Sequence, residues 1–183
     1  MSLVGTDSVS SPEWVLVALH QHEDSLLRYA ASLVGESRAQ DVVQDAFLRL
    51  CAQPFEKVSS HIAAWLFTVC RNRALELRRA ERRLSSIEEE EDDTAESPDS
   101  GPLAKVERAE SMSRVRAAMA RLSPRERELL LLKVEAGLSY KDIAQVTRLS
   151  VSNVGFILHT AIARIREQLS EPTQAVQAER SAL

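Results

Sequence analysis

The 183-residue chain is short of glycine (five residues), of aromatics (4 %) and of cysteine (two). Little glycine and few aromatic side chains, beside abundant Ala, Leu, Glu and Arg, argue against a sheet and predict an all-α fold. Two cysteines exclude a disulfide framework. Cys51 and Cys70 each lie in an apolar helical stretch, which predicts buried free thiols. No apolar run approaches bilayer-spanning length, and the N-terminus lacks the basic-then-apolar order of a signal peptide, so a cytoplasmic protein is expected. Also missing are a glycine-rich phosphate loop and a Ser/His/Asp arrangement on neighbouring turns. His61 and His159 stand apart from any Cys or His at metal-ligand spacing. These absences lead to an expectation of no enzyme, no cofactor and no metal.

Charge is present in quantity but unevenly placed. The formal net charge is −4, which by itself speaks against a nucleic-acid partner. Residues 71–83 nevertheless hold six Arg against two Glu, and residues 114–167 hold ten Lys/Arg against five acids. Between them, residues 88–99 hold eight acids and no base. Two basic modules and an acidic connector therefore hide behind one small number.

The stretch from Leu122 to Leu169 carries the most information. Ser123-Pro124-Arg125-Glu126 is a helix-start signal: Ser caps, Pro suits the first helical position, and Glu three residues on closes a capping box. Gly137 is placed to stop that helix. Ser139 to Asp142 opens a second, short helix through Val146; Arg148-Leu149 makes a tight break, and Ser150 caps a long third helix. There Val151, Val154, Leu158, Ile162, Ile165 and Leu169 fall three or four apart and are expected to form one inward stripe, against which Ile143, Ala144 and Val146 pack. A short helix, a tight turn and a capped helix with its first residues exposed is the helix-turn-helix pattern of DNA readers.

Ahead of that motif, residues 1–10 are expected to be disordered. Ser11-Pro12 can cap a helix to about Val34, with Trp14, Leu19, Leu26, Leu27, Ala30 and Leu33 inward, ended by Gly35. Ser37 to Gln40 reads as a capping box opening a helix with Val42, Val43, Ala46, Phe47 and Leu50 on one side and Asp41, Gln44, Asp45 and Arg49 on the other. Pro54 breaks the chain, and residues 53–61 read as a loop. A helix from near Ser60 to about Leu84 packs Ile62, Trp65, Leu66, Val69 and Cys70. Its second half carries Arg78, Arg79, Arg82 and Arg83, spread over more of the surface than two Glu can pair, as phosphate contact requires. Residues 85–102 bury almost nothing and read as a flexible linker. A helix resumes from Leu103 to Leu122, with Val106, Met112, Val115, Met119 and Leu122 as its apolar positions. The expected division is a disordered N-terminus (1–10), a first helical domain (11–84), a linker (85–102), a helix-turn-helix domain (103–170) and a tail (171–183).

DVVQDAFLRL, AAWLFTVCRNRALELRR and LSPRERELLLLKVEAGLSYKDIAQ, in this order and spacing, resemble the extracytoplasmic-function (ECF) branch of the sigma-70 family. Those proteins are bacterial RNA polymerase sigma subunits reduced to regions two and four. The resemblance covers about residues 13–84 and 103–169. It implies promoter DNA and core RNA polymerase as partners, the latter through the β′ clamp and β flap, no membrane insertion, and commonly an anti-sigma factor. It implies that Asp41, Gln44, Asp45, Phe47, Arg49 and Leu50 dock on the β′ clamp helices, with at least one of Phe47 and Leu50 internal instead. It implies that Ser59, His61, Arg71, Asn72, Glu76, Arg79, Arg82 and Arg83 melt and read the −10 element, where an extruded base costs a few kcal/mol that pocket and backbone contacts offset. The acidic linker matches the segment that threads the polymerase toward its RNA exit channel.

The family usually has Thr-Val-Lys-Ser-Arg-Leu where this chain has Asn153-Val154-Gly155-Phe156-Ile157-Leu158, and a turn Gly where Arg148 stands. Recognition of the −35 element is accordingly expected to rest on Arg148, Ser150, Ser152, Asn153, Phe156, His159 and Arg164, with Phe156 against a thymine methyl and Gly155 allowing close backbone approach. The alternative for Phe156 and Ile157 is an apolar patch covered by an inhibitory partner. Two other readings of the whole chain are a LuxR-like regulator, which needs an upstream α/β domain that residues 1–110 cannot build, and a protein-binding helical adaptor, which leaves the Arg-rich faces without a use.

Overall fold

The computed structural model describes residues 13–85, 114–115 and 117–170, and among these there is no strand. The expected cap at Ser11-Pro12, the acidic linker, most of the helix expected from Leu103 and the C-terminal tail lie outside the described residues.

Four helices build the first module: α1 (Glu13–Val34), α2 (Glu36–Cys51), α3 (Phe55–Val58) and α4 (Ile62–Ser85). Helices α1, α2 and α4 pack on one another around Leu26, Ala30, Val42, Ala46, Leu50, Leu66, Phe67, Cys70 and Ala74, all fully buried. Each large side chain there contributes about 1.5–3 kcal/mol through burial. Tyr29 meets Phe67 edge-on, with ring centroids 5.3 Å apart. The inward sets expected for α1 and α2 are the ones packed here, with Trp14, Leu19, Leu27 and Leu33 partly buried at the margin.

Three expectations in this module need correction. Helix α2 begins at Glu36, capped by Gly35 at φ 80° with no side-chain cap, so Ser37 to Gln40 is not a capping box. The Gly35 N–H still bonds the Ala31 carbonyl at 2.9 Å. One glycine thus ends α1 and starts α2, and Ser37 falls inside the first turn. The loop after Pro54 contains α3, because Val58 is buried and Phe55 sits on Trp14 with centroids 5.3 Å apart. Cys51 is exposed while Cys70 is buried: Cys51 is the final residue of α2, where the core no longer covers it.

In the second module helical residues 114–115 and 117–120 lead to α5 (Pro124–Val134), α6 (Tyr140–Thr147) and α7 (Val151–Ser170). Both expected capping boxes are formed, Ser123 with Glu126 and Ser139 with Asp142, and Ser150 Oγ accepts from the Asn153 N–H at 3.2 Å. Gly137, at φ 63°, lets the Leu138 N–H return to the Leu132 carbonyl at 3.1 Å and close the end of α5. The α6–α7 turn is made by Arg148 in the left-handed region, φ 58°.

Ile143, Ala144 and Val146 are buried against α7 as expected, but the α7 stripe is rotated. Val154, Leu158 and Ala161 are buried, whereas Val151 and Ile162 are 48 % and 41 % exposed. At 3.6 residues per turn those two lie about 60° from the centre of the buried arc. The eight-residue α6 is too short to cover the wider sector.

The modules touch. Helix α4 packs against α6, and α1 meets α5.

Candidate nucleic-acid and polymerase interfaces

Helix α4 has two electrostatic regimes. Toward its C-terminal end Arg78, Arg79, Arg82 and Arg83 are exposed. One helical turn or more before them, Arg71 is 9 % exposed. Its Nε donates to Glu128 of α5 at 2.6 Å, and the same carboxylate accepts from the Tyr29 hydroxyl at 3.1 Å and from Arg125 at 3.2 Å. Burial raises the Tyr29 hydroxyl well above the ordinary tyrosine value, and the neighbouring Glu128 charge adds to that rise. Arg71, expected to face DNA, is held in this arrangement by an ion pair between the modules.

The remaining −10 candidates sit along one edge of the first module. Ser59 is exposed at the end of α3, and His61 is half-buried with Nδ1 3.1 Å from Ser60 Oγ. Asn72 is half-buried; Glu76 is exposed and lies 3.5 Å from Arg73. Arg73 in turn approaches Asp45 of α2 at 3.9 Å, and Asp45 pairs with Arg49 at 3.0 Å.

Of the polymerase candidates, Asp41, Gln44 and Arg49 are exposed and Asp45 is half-buried. Leu50 is fully buried and Phe47 is 8 % exposed. Leu50 therefore belongs to the core, because its spacing places it on the buried stripe of α2. Phe47 reaches only the floor of a groove of about 370 Å³ between α1 and α2, whose walls include Val15, Leu16, Leu19, Val43 and Leu48. The exposed apolar residues here are Leu48 (64 %), Leu16 (56 %) and Val17 (51 %), which sequence reasoning missed. Leu48 carried a signal: it breaks the polar face of α2 one residue after Phe47.

On the helix-turn-helix, Arg148, Ser152, Asn153, Phe156 and His159 are all exposed. Ser152, Phe156 and His159, spaced four and three, share one face of α7. Phe156 is 71 % exposed, a large apolar side chain left in water at the position expected to read a base. Ser150 is used as a cap. Arg164 is engaged elsewhere, donating to Glu126 at 2.7 Å. Glu126 is held below the usual carboxylate range first by the Ser123 backbone N–H it accepts from, then by the Ser123 hydroxyl and Arg164. Gly155 faces α6 instead of outward: a Cβ there would meet the Tyr140 ring at 3.7 Å.

Among the described residues no group of three or more His, Cys, Asp or Glu is placed to hold a metal ion. No described helix is long and apolar enough to cross a membrane.

The architecture defines a two-module helical protein whose second module presents a capped recognition helix. Comparison with known families makes this specific. The profile described as Sigma-70 region 2 matches residues 18–84, and that described as Sigma-70, region 4 matches residues 112–169. The ECF RNA polymerase sigma factor EcfG of Rhodopseudomonas palustris is 34 % identical over 151 residues, 80 % of this chain and 77 % of that protein. The ECF sigma factor SigL of Mycobacterium tuberculosis is 30 % identical over 154 residues, 82 % of this chain and 86 % of SigL. Among solved structures, the sigma factor RpoE of Bartonella quintana, in complex with the anti-sigma factor NepR, superposes with a TM-score of 0.65 at 25 % identity, over 87 % of this chain and 96 % of RpoE. The chain belongs to the ECF branch of the sigma-70 family. Sigma factors are not themselves enzymes; the polymerase carries the chemistry.

Proposed function

We propose that this chain, acting as a sigma factor, brings core RNA polymerase to promoters by reading a −35 element with α7 and a −10 element with the α3–α4 edge, where it assists strand opening. The observation that carries the reading is the exposed Ser152, Asn153, Phe156 and His159 surface at the start of α7, in a chain whose other module ends in an exposed run of four arginines on α4. Side chains at the start of a recognition helix reach base edges, and arginines supply sequence-independent phosphate attraction. Residues 11–84 and 103–170 are assigned to the two DNA-contacting domains, 85–102 to the tether between them. Asp41, Gln44 and Arg49, with Leu48 beside them, form the face offered to the β′ clamp, and the second module meets the β flap. The solved RpoE relative was captured with an anti-sigma factor; control of this chain by such a partner in the cytoplasm follows by analogy.

Run-off transcription with purified bacterial core polymerase on a genomic fragment library tests the reading. New discrete start sites sharing two upstream elements are expected only when the chain is added. Absence of new starts, together with DNA binding by the full chain alone, would support a stand-alone regulator instead.

A further inference from the structure

The Arg71–Glu128 pair is unusual for its place as well as its burial. The side chains are 11 % and 8 % exposed and come from different modules, 57 residues apart in sequence. Both charges are withdrawn from water, a cost that only close geometry and further hydrogen bonds offset. Here Tyr29 and Arg125 supply those bonds to the same carboxylate. Around the pair α4 packs on α6 and α1 meets α5, and the buried apolar residues of both modules form one cluster. Among the described residues one further ion pair crosses between the modules, Arg28 with Glu135 at 2.7 Å, which is largely exposed and contributes little. Within that apolar contact, which is not directional, the buried pair is the element that fixes one geometry.

Its chemistry is also that of a DNA contact. A guanidinium donating through Nε to a carboxylate oxygen makes the bond it would make to a phosphate oxygen. Arg71 leads the basic run that continues through Arg79 and Arg82 on the same helix. We propose that Glu128 is an internal stand-in for a nucleic-acid phosphate at Arg71, holding the two modules closed until a phosphodiester of opened DNA takes its place. The DNA half of this proposal rests on the promoter-binding reading above; the closed state does not.

The closed form withholds Arg71 from DNA, so free chain binds weakly in proportion to the fraction that is open. If one molecule in ten is open, abolishing the latch tightens binding about tenfold. Opening also relieves Glu128, which regains water once the helices part. The contact is thus fit to be released, unlike a buried pair inside one core.

The test uses the full chain as parent, Glu128→Gln, Arg71→Gln, and the exchanged pair Arg71→Glu with Glu128→Arg. Small-angle scattering reads compactness, circular dichroism checks helix content, and anisotropy of a labelled mixed-sequence single-stranded oligonucleotide reads binding. Parent should be compact, both single variants expanded with unchanged helix content, and the exchanged pair compact again. Glu128→Gln should bind the oligonucleotide several-fold more tightly than parent, while Arg71→Gln, equally open, should not. A Glu128→Gln chain as compact as parent overturns the proposal, as does an expanded one that binds no more tightly. Loss of helix content in Glu128→Gln, with no recompaction by the exchanged pair, overturns it too, since the pair would then be holding up a fold. Failure of the promoter reading is distinct: parent with core polymerase would then start no new transcripts, whatever the variants did to compactness.

Discussion

The middle and the C-terminal end of α4 put the same residue type to opposite uses. At Arg71 the guanidinium is buried, and its Nε donates to Glu128 of α5. At Arg79 and Arg82 the side chains stand in solvent. Nothing in the local sequence separates them, for both sit in one basic run. What differs is the neighbour: Glu128 of the second module reaches Arg71, whereas Arg79 and Arg82 remain exposed. A charge's role is set by what covers it, and cover is a tertiary property.

The comparison can be broken at its buried end first. Arg71→Ala leaves Glu128 without its closest partner, a loss worth about 3–5 kcal/mol for a pair that stays buried. Because the modules can part, the chain should escape that cost by opening. Calorimetry should show one cooperative transition in parent splitting into two in the variant, and a single transition lowered as a unit would refute the escape. Tyr29→Phe removes one of three bonds to the carboxylate and should cost about 1–2 kcal/mol, read as a lower urea midpoint. Ser123→Ala, at the cap of the helix that carries Glu128, should cost about 1 kcal/mol by loss of that cap. Glu126 adds a pH signature to that variant. Its carboxyl is depressed in the folded protein, so its contribution is complete above the unfolded carboxylate value and is lost as pH falls through the lower folded one. Acid denaturation should accordingly begin at higher pH in Ser123→Ala. At the exposed end, Arg79→Ala with Arg82→Ala should leave stability within about 0.5 kcal/mol. The pair of changes should still reduce the slope of log affinity against log salt, by up to about 0.7 for each single-strand phosphate no longer neutralised.

The thiols offer the finest contrast. Cys51 is exposed, whereas burial pushes the Cys70 thiol up to about 12. A disulfide reagent at neutral pH should modify one thiol in the native chain and two in denaturant. Since the folded value is raised, Cys70 stabilises fully at neutral pH and its contribution fades as pH rises from the ordinary thiol value toward 12.

Legibility from sequence follows the range of the interaction. Ser123, Ser139 and Ser150 act within three residues of themselves, so the helix starts of the second module are readable to within a residue. Periodicity likewise finds Val42, Ala46, Leu66 and Cys70, whose burial needs only a helix and one face. The helix start at Glu36 escapes it because Gly35 serves two helices at once, and α3 because a four-residue helix held by Val58 and Phe55 has no period. Val151 and Ile162 look inward in sequence since spacing gives a stripe and not its width. The function is legible through the family motifs. The Arg71–Glu128 pair is not, since 57 residues of separation leave no pattern to read.

The carboxylate of Glu126 closes the cap of α5 on Ser123 and also grips Arg164, well along the shaft of α7. A helix start and the body of the recognition helix thus share one fastening. Damage at Ser123 would be felt as a swing in the angle at which α7 is offered, and compensating changes selected against it should surface on α7, in positions that neither touch Ser123 nor read a base.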